Sequence, residues 1–161
     1  MTIKVGDRLP DANFATMTAE GPQKLSGKDL FAGQKVVLVA VPGAFTPTCH
    51  LKHLPGFVEQ ADAIKAKGAD RVACISVNDV FVMDAWAKAS GAQGKVMFLA
   101  DGSADFTKAI GMEMDASGFG MGIRSKRYAM VVDDGVVKVL NVEPQAGQAV
   151  EAGVEKILAA L

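Results

Sequence analysis

Cys49 ends the segment with the clearest chemistry in this 161-residue sequence. The segment runs Pro-Gly-Ala-Phe-Thr-Pro-Thr-Cys from Pro42, and it follows an apolar run typical of a buried strand. Thr46 is the predicted N-cap of a helix and Pro47 its first residue, because a Thr hydroxyl caps helices and Pro tolerates the first position. Cys49 is then the third residue of that helix.

This placement favours the anionic form of the Cys49 side chain. The first helical turn presents unpaired backbone N–H groups and the positive end of the helix dipole. A single cysteine in an α/β domain is more often a small buried apolar residue. However, a strand end followed by a helix is where α/β sheets hold their ligands. We therefore interpret Cys49 as a thiolate nucleophile, with the Thr46 hydroxyl able to bond its sulfur, its N–H or a substrate oxygen.

Short β-branched runs alternate with helical patterns, which predicts an α/β domain with a central mixed sheet flanked by helices. We expect one domain over residues 1–161. The Asp-Gly step at 134–135 predicts a hairpin, and Pro55 predicts a bend near Leu51 or Lys52. The predicted strands are 35–41, 71–77, 95–99, 127–132 and 136–142, and the predicted helices include 80–89 capped by Asp79, 104–110 capped by Ser103, and 148–161.

Composition excludes several classes of protein. The formal charge is −1 and no Lys/Arg cluster stands out, so we expect no nucleic acid partner. No apolar run approaches the ~20 residues that span a bilayer, so we expect no membrane association and no export. The two cysteines form no C-x-x-C pair, which favours a reducing compartment such as the cytoplasm.

The Pro-x-x-x-Thr-x-x-Cys spacing of Pro42, Thr46 and Cys49 resembles the active-site motif of the peroxiredoxins, in particular the type II or atypical two-Cys subfamily. The resemblance covers nearly the whole chain and continues through 53–57, 75–79, 98–101 and 124–129. It implies a thioredoxin fold and a thiol peroxidase without a cofactor. The implied substrates are hydrogen peroxide and organic hydroperoxides, and the implied role is antioxidant defence.

The resemblance also implies a role for each matched residue. Cys49 would attack the peroxide, Thr46 and Arg124 would bind its oxygens, and Pro42 would shield the thiolate. Attack on a peroxide expels hydroxide or alkoxide, so hydrogen-bond donors must point at the oxygen on which charge develops. Arg127 either reinforces Arg124 or only begins a strand, and both interpretations stay open.

Phe119 and Thr48 are candidates for the substrate pocket. Phe119 belongs to an apolar cluster before Arg124 that is either ordinary core or a mouth that admits alkyl hydroperoxides. His50 is expected to tune the thiolate or the docking of a reductant. No metal site is predicted, because Cys49 and the two histidines beside it supply only three ligands.

A sulfenic acid formed on Cys49 needs a second thiol to return to the reduced state. Atypical two-Cys members carry a resolving cysteine near the C-terminus, where this sequence has Glu151 and its neighbours instead. Cys74 is the only internal candidate, and because it lies in a predicted strand, resolution and structural packing both stay open. We favour a one-Cys cycle completed by glutathione with glutaredoxin, or directly by thioredoxin.

Two other functions are compatible with a reactive cysteine. A disulfide oxidoreductase on the same fold is the first, although the sequence lacks its dithiol motif. The second is a redox-sensing or chaperone-like binding protein that oxidation of Cys49 switches. The family resemblance further suggests a homodimer that packs through loops near the active site, including Phe45 and the 80–83 region.

Overall fold

The chain forms nine strands and six α-helices within residues 2–161, which are the residues that the computed structural model describes. A π-helical turn, Cys49–His53, precedes α2, and a short 3-10 turn, Ser117–Phe119, precedes β7. In chain order the elements are β1 (Asn13–Thr18), β2 (Gly21–Ser26), α1 (Gly27–Phe31), β3 (Lys35–Val41), α2 (Leu54–Glu59), α3 (Ala61–Ala66), β4 (Arg71–Ser76), α4 (Val80–Ala89), β5 (Met97–Ala100), α5 (Asp105–Ala109), β6 (Glu113–Asp115), β7 (Ile123–Ser125), β8 (Tyr128–Asp133), β9 (Val136–Val142) and α6 (Val154–Ala160).

Seven strands form one mixed sheet in the order β2-β1-β5-β4-β3-β8-β9. The central strands β3, β4 and β5 run parallel, and β1 and β8 flank them in the antiparallel direction. Strand β3 is β-branched and apolar along its length, which suits a strand buried on both faces. The predicted α/β architecture with a mixed sheet is confirmed.

The two faces of the sheet carry separate hydrophobic cores. Side chains alternate along β3, so Val37, Val39 and Val41 face one core and the residues between them face the other. Helices α2, α3, α4 and α6 cover the first face, and α1 and α5 cover the second. Cys49 and Cys74 both belong to the first core, so the candidate nucleophile lies against the sheet.

The hairpin and the capping of α4 follow the sequence-based expectation. Asp134 and Gly135 both have positive φ, as a two-residue hairpin turn requires, and they join β8 to β9. The Asp79 side chain accepts hydrogen bonds from the N–H groups of Phe81 and Val82, so it caps α4.

Two predicted helices differ from the structure at their beginnings. Helix α5 starts after Ala104, and the buried Asp101 carboxylate, not the predicted Ser103, accepts from the first N–H groups of this helix. The last helix begins at Val154 and not near residue 148, because the residues before it form a loop that bonds to side chains of the candidate site. Within residues 2–161, no helix is long and apolar enough to cross a membrane.

Candidate active site

The loop between β3 and the following helical turn places Cys49. The His50 N–H donates to the Thr46 carbonyl at 2.8 Å, so the helix starts where the sequence predicts and Cys49 lies in its first turn. Within residues 2–161 no backbone N–H of this turn donates to the Thr46 hydroxyl, which instead donates to the Gly43 carbonyl at 2.7 Å. Since that bond uses its single proton, the hydroxyl oxygen is left as an acceptor.

A π-helical turn follows at Cys49–His53, where the Leu54 N–H donates to the Cys49 carbonyl five residues earlier. Pro55 causes this irregularity, because it has no N–H and its ring crowds the carbonyl four residues before it. The sequence predicts a bend near Leu51 or Lys52, and the π-helical turn spans both positions. Cys49 and His53 are both buried on the inner side of this turn, whereas Leu51 is exposed.

The guanidinium of Arg127 lies directly against the Cys49 sulfur. Its Nη2 donates to Sγ of Cys49 at 3.0 Å, its Nη1 bonds to Nδ1 of His53 at 2.9 Å, and its Nε donates to the Ala146 carbonyl at 3.1 Å. A guanidinium carries five N–H donors, so one N–H on each Nη stays available for an incoming oxygen. The three contacts fix the plane of the group beside the sulfur.

Arg127 is only 2% exposed, and no carboxylate neutralises it. The ion pairs formed by residues 2–161 are Lys4–Asp7, Lys88–Asp84 and Lys156–Glu151, all at the surface. A buried charge without a counter-charge is costly. The Cys49 sulfur lies at hydrogen-bond distance from this charge, so the guanidinium faces the candidate nucleophile.

His53 is a neutral acceptor for Arg127. A guanidinium can only donate and a carbonyl can only accept, so the contacts assign the His53 proton to Nε2, which donates to the Ala152 carbonyl at 2.7 Å. Burial lowers the pKa of His53 to about 4, and the nearby charge of Arg127 acts in the same direction. At neutral pH the imidazole therefore orients the guanidinium without adding charge.

Comparison with known proteins decides the family. The redoxin family model matches residues 4–158. Peroxiredoxin-2C of Oryza sativa subsp. japonica is 50% identical over 99% of this chain and 98% of its own length. The chain belongs to the peroxiredoxin family. The structure of reduced Prx3 from Vibrio vulnificus in complex with H2O2 has a TM-score of 0.93 and 53% identity, with 99% of each chain covered. The fold is thus thioredoxin-like, and this peroxiredoxin is a thiol-dependent peroxidase with an antioxidant function.

Arg124, which the sequence predicts to bind the peroxide, contacts the loop of the site, and that role stays a prediction. Arg124 lies in β7, where its Nε donates to the Met121 carbonyl at 2.9 Å and its Nη1 donates to the Pro42 carbonyl at 3.4 Å. It contacts the loop through the Pro42 carbonyl, while Arg127 contacts the sulfur directly. The sequence contains a signal for this difference. Arg127 immediately precedes β8, and two-residue alternation puts it on the same face as Ala129, which packs in the core that contains Cys49.

Gly43 explains how closely the outer wall of the loop is packed. A Cβ at this position would lie 3.0 Å from Cγ2 of Thr46, 3.1 Å from Nη1 of Arg124 and 3.2 Å from Cε of Met121. Any larger residue would push these groups apart. Pro42 is buried in the same loop, and its role as a shield for the thiolate stays a prediction.

The roles of Phe119 and Thr48 in the substrate pocket stay predictions. Phe119 is 87% exposed, and Met121 packs against the loop at Gly43. The Thr48 hydroxyl donates to the Gly147 carbonyl at 3.3 Å, which ties the helical turn to the C-terminal loop. His50 accepts a hydrogen bond from the Trp86 indole at 2.9 Å, so its ring packs with the aromatic groups of α4.

Cys74 lies in the middle of β4, paired with Val39 on one side and Phe98 on the other. Both cysteines are buried free thiols. Burial raises the pKa of Cys74 far above its ordinary value, and a negative charge on Cys49 raises it further. Cys74 is therefore a protonated thiol that does not act as a nucleophile while β4 is intact.

The first prediction concerns His53 and the pH dependence of stability. Its pKa is about 4 in the folded protein and 6.5 in the unfolded chain, so between about pH 6.5 and pH 4 only the unfolded chain takes up the proton. As the pH falls through this range, the free energy of unfolding should decrease by about 1.4 kcal/mol per pH unit, on the order of 3 kcal/mol in total. Urea unfolding between pH 7 and about pH 5 measures this slope, because fewer carboxylates titrate in that range than near pH 4.

His53→Gln should flatten that slope. His50→Gln leaves the buried His53 in place and should not flatten it. Equal slopes in the wild type and His53→Gln would show that His53 is not held neutral by the fold.

The second prediction separates the two arginines. Arg127→Lys keeps a charge but loses the planar fork that contacts Cys49 and His53, so the rate of Cys49 oxidation by peroxide should fall by about 100-fold or more. Arg124→Lys is the matched control and should lose much less. Stopped-flow fluorescence of Trp86, the single tryptophan, measures both rates. A larger loss in Arg124→Lys would restore the assignment made from the sequence.

Proposed function

We propose that Cys49 is the peroxidatic cysteine and that Arg127 and Thr46 bind the peroxide. The contact between Nη2 of Arg127 and the Cys49 sulfur carries this proposal, since Arg127 forms none of the ion pairs of residues 2–161. The sulfur attacks the distal oxygen of the peroxide, so an S–O bond forms while the O–O bond breaks. The products are a sulfenic acid on Cys49 and a hydroxide or alkoxide, which takes a proton to become water or an alcohol.

The donors and acceptors in the site suit this displacement. Each Nη of Arg127 keeps one N–H for the oxygen on which negative charge develops. The Thr46 hydroxyl already donates to Gly43, so its oxygen accepts the O–H of the peroxide. Cys49 is fully buried, which favours hydrogen peroxide and small organic hydroperoxides over bulky ones.

An external thiol completes the cycle, because Cys74 is buried and protonated within β4. The external thiol attacks the sulfenic acid, which releases water and leaves a mixed disulfide on Cys49. A second thiol then reduces that disulfide and restores the Cys49 thiol. We assign these steps to glutathione with glutaredoxin, or to thioredoxin. The π-helical turn must open for either reductant to reach the sulfur, since Cys49 has no exposed surface.

A second copy of this chain is the proposed partner of the surface beside the site. Phe45 and Phe81, in the regions expected to form the dimer, are 47% and 66% exposed. The Phe45 ring lies 5.9 Å from the His50 ring and 6.4 Å from the Trp86 ring, so this apolar surface is continuous with the helical turn of Cys49. We place the enzyme in a reducing compartment such as the cytoplasm, because its cycle begins and ends with free thiols.

The third prediction tests the roles of the two cysteines. One equivalent of peroxide without reductant should remove one of the two free thiols and add one oxygen atom to the protein mass. Cys74→Ser should keep turnover with glutathione and glutaredoxin or with thioredoxin, and Cys49→Ser should lose it. Thiol titration, mass spectrometry and peroxide consumption measure these outcomes.

A disulfide between Cys49 and Cys74 after oxidation would disprove the one-Cys cycle. Peroxide consumption that survives Cys49→Ser would disprove the proposed role of Cys49 itself.

A further inference from the structure

The loop between β9 and α6 supplies acceptors to three side chains of the site. The Ala146 carbonyl accepts from Nε of Arg127, the Gly147 carbonyl from the Thr48 hydroxyl, and the Ala152 carbonyl from Nε2 of His53. Backbone carbonyls fix a side chain only if the loop that carries them is itself fixed. The position of the guanidinium therefore depends on what holds residues 146–152.

Glu143 holds this loop from its base. Its side chain is 94% buried, and one carboxylate oxygen, Oε2, accepts from the N–H groups of both Val150 and Ala152 at 3.0 Å. The Glu143 backbone N–H donates to the Arg127 carbonyl at 2.9 Å, which extends the pairing of β8 with β9 by one step. Glu143 thus joins the backbone of Arg127 to the loop that orients its side chain.

These contacts form a closed circuit. Arg127 bonds to His53, His53 bonds to the Ala152 carbonyl, the Ala152 N–H bonds to Glu143, and Glu143 bonds back to the Arg127 backbone. The Glu143 carboxylate forms no ion pair with the guanidinium, as the ion pairs of residues 2–161 lie elsewhere. It acts by fixing backbone groups and not by direct charge neutralisation.

We propose that Glu143 is a positioning residue of the peroxidase site, which holds the 146–152 loop so that its carbonyls aim Arg127 and His53 at Cys49. This inference rests on the proposed role of Cys49 as the attacking cysteine. A cavity of about 270 Å³ borders Arg127, Glu143 and Ala146. Open space therefore adjoins both the loop and the arginine that the loop orients.

Glu143→Ala and Glu143→Gln test the proposal as a pair. Ala removes the acceptor, so sulfenic acid formation on Cys49 should slow on the order of 10- to 100-fold at a temperature where the variant is folded. Gln keeps an oxygen that can accept from both N–H groups and should recover most of that rate. Glu151→Gln is the matched control, since it removes an exposed carboxylate in the same loop, and its rate should equal that of the wild type.

A split between the two half-reactions distinguishes positioning from general loss of structure. The peroxide step, followed by Trp86 fluorescence, should slow in Glu143→Ala, whereas the reaction of the preformed sulfenic acid with glutathione should change much less. If Glu143→Ala does not fold, Glu143→Asp replaces it, because its shorter side chain cannot reach both N–H groups, and the same slowing of the peroxide step is expected.

A wild-type peroxide step in folded Glu143→Ala would overturn the inference, as would equal losses in Glu143→Ala and Glu143→Gln. Cys49→Ser separates a failure of the proposed role of Glu143 from a failure of the proposed role of Cys49. If Cys49→Ser is inactive and Glu143→Ala reacts like the wild type, only the role of Glu143 is refuted. If Cys49→Ser still consumes peroxide, the proposed role of Cys49 is refuted as well.

Discussion

A buried guanidinium beside a buried sulfur is the constraint on which the rest of this peroxiredoxin depends. Arg127 is almost fully removed from water, contacts Cys49 at 3.0 Å and has no carboxylate partner. Its other acceptors are the neutral His53 ring and the Ala146 carbonyl, which orient the group without neutralising it. A carboxylate in their place would satisfy Arg127 and leave the thiolate without its counter-charge. The site thus keeps its positive charge for the sulfur and for the oxygen that leaves.

Each part of this arrangement comes from a different segment of the fold. Strand β3 and the loop after it place Cys49 in a first helical turn, and Pro55 causes the π-helical turn that carries His53. Arg127 lies immediately before strand β8, and the loop before α6 supplies carbonyl acceptors. These parts lie far apart in the sequence, and the sheet brings them together.

The local features of the site could be predicted from the sequence, because they depend on neighbouring residues. The start of the helix at Pro47, the place of Cys49 in its first turn and the irregularity before Pro55 follow from proline chemistry, although the Thr46 hydroxyl bonds to Gly43 and not to the helix. Which of Arg124 and Arg127 contacts the Cys49 sulfur depends on which face of the sheet at β8 packs against the Cys49 helix. Tertiary packing decides this, and local sequence does not. The acceptor loop gave no sequence signal, since its contacts are made by backbone carbonyls, which every residue carries.

A double-mutant cycle on Cys49 and Arg127 tests the central pairing most directly. The free energy of unfolding would be measured by denaturant at neutral pH, with reductant present, for the wild type, Cys49→Ser, Arg127→Met and the double variant. A thiolate and guanidinium that neutralise each other should give a favourable coupling of about 1 to 3 kcal/mol, with the double variant more stable than Cys49→Ser alone. Additivity within about 0.5 kcal/mol would contradict the pairing.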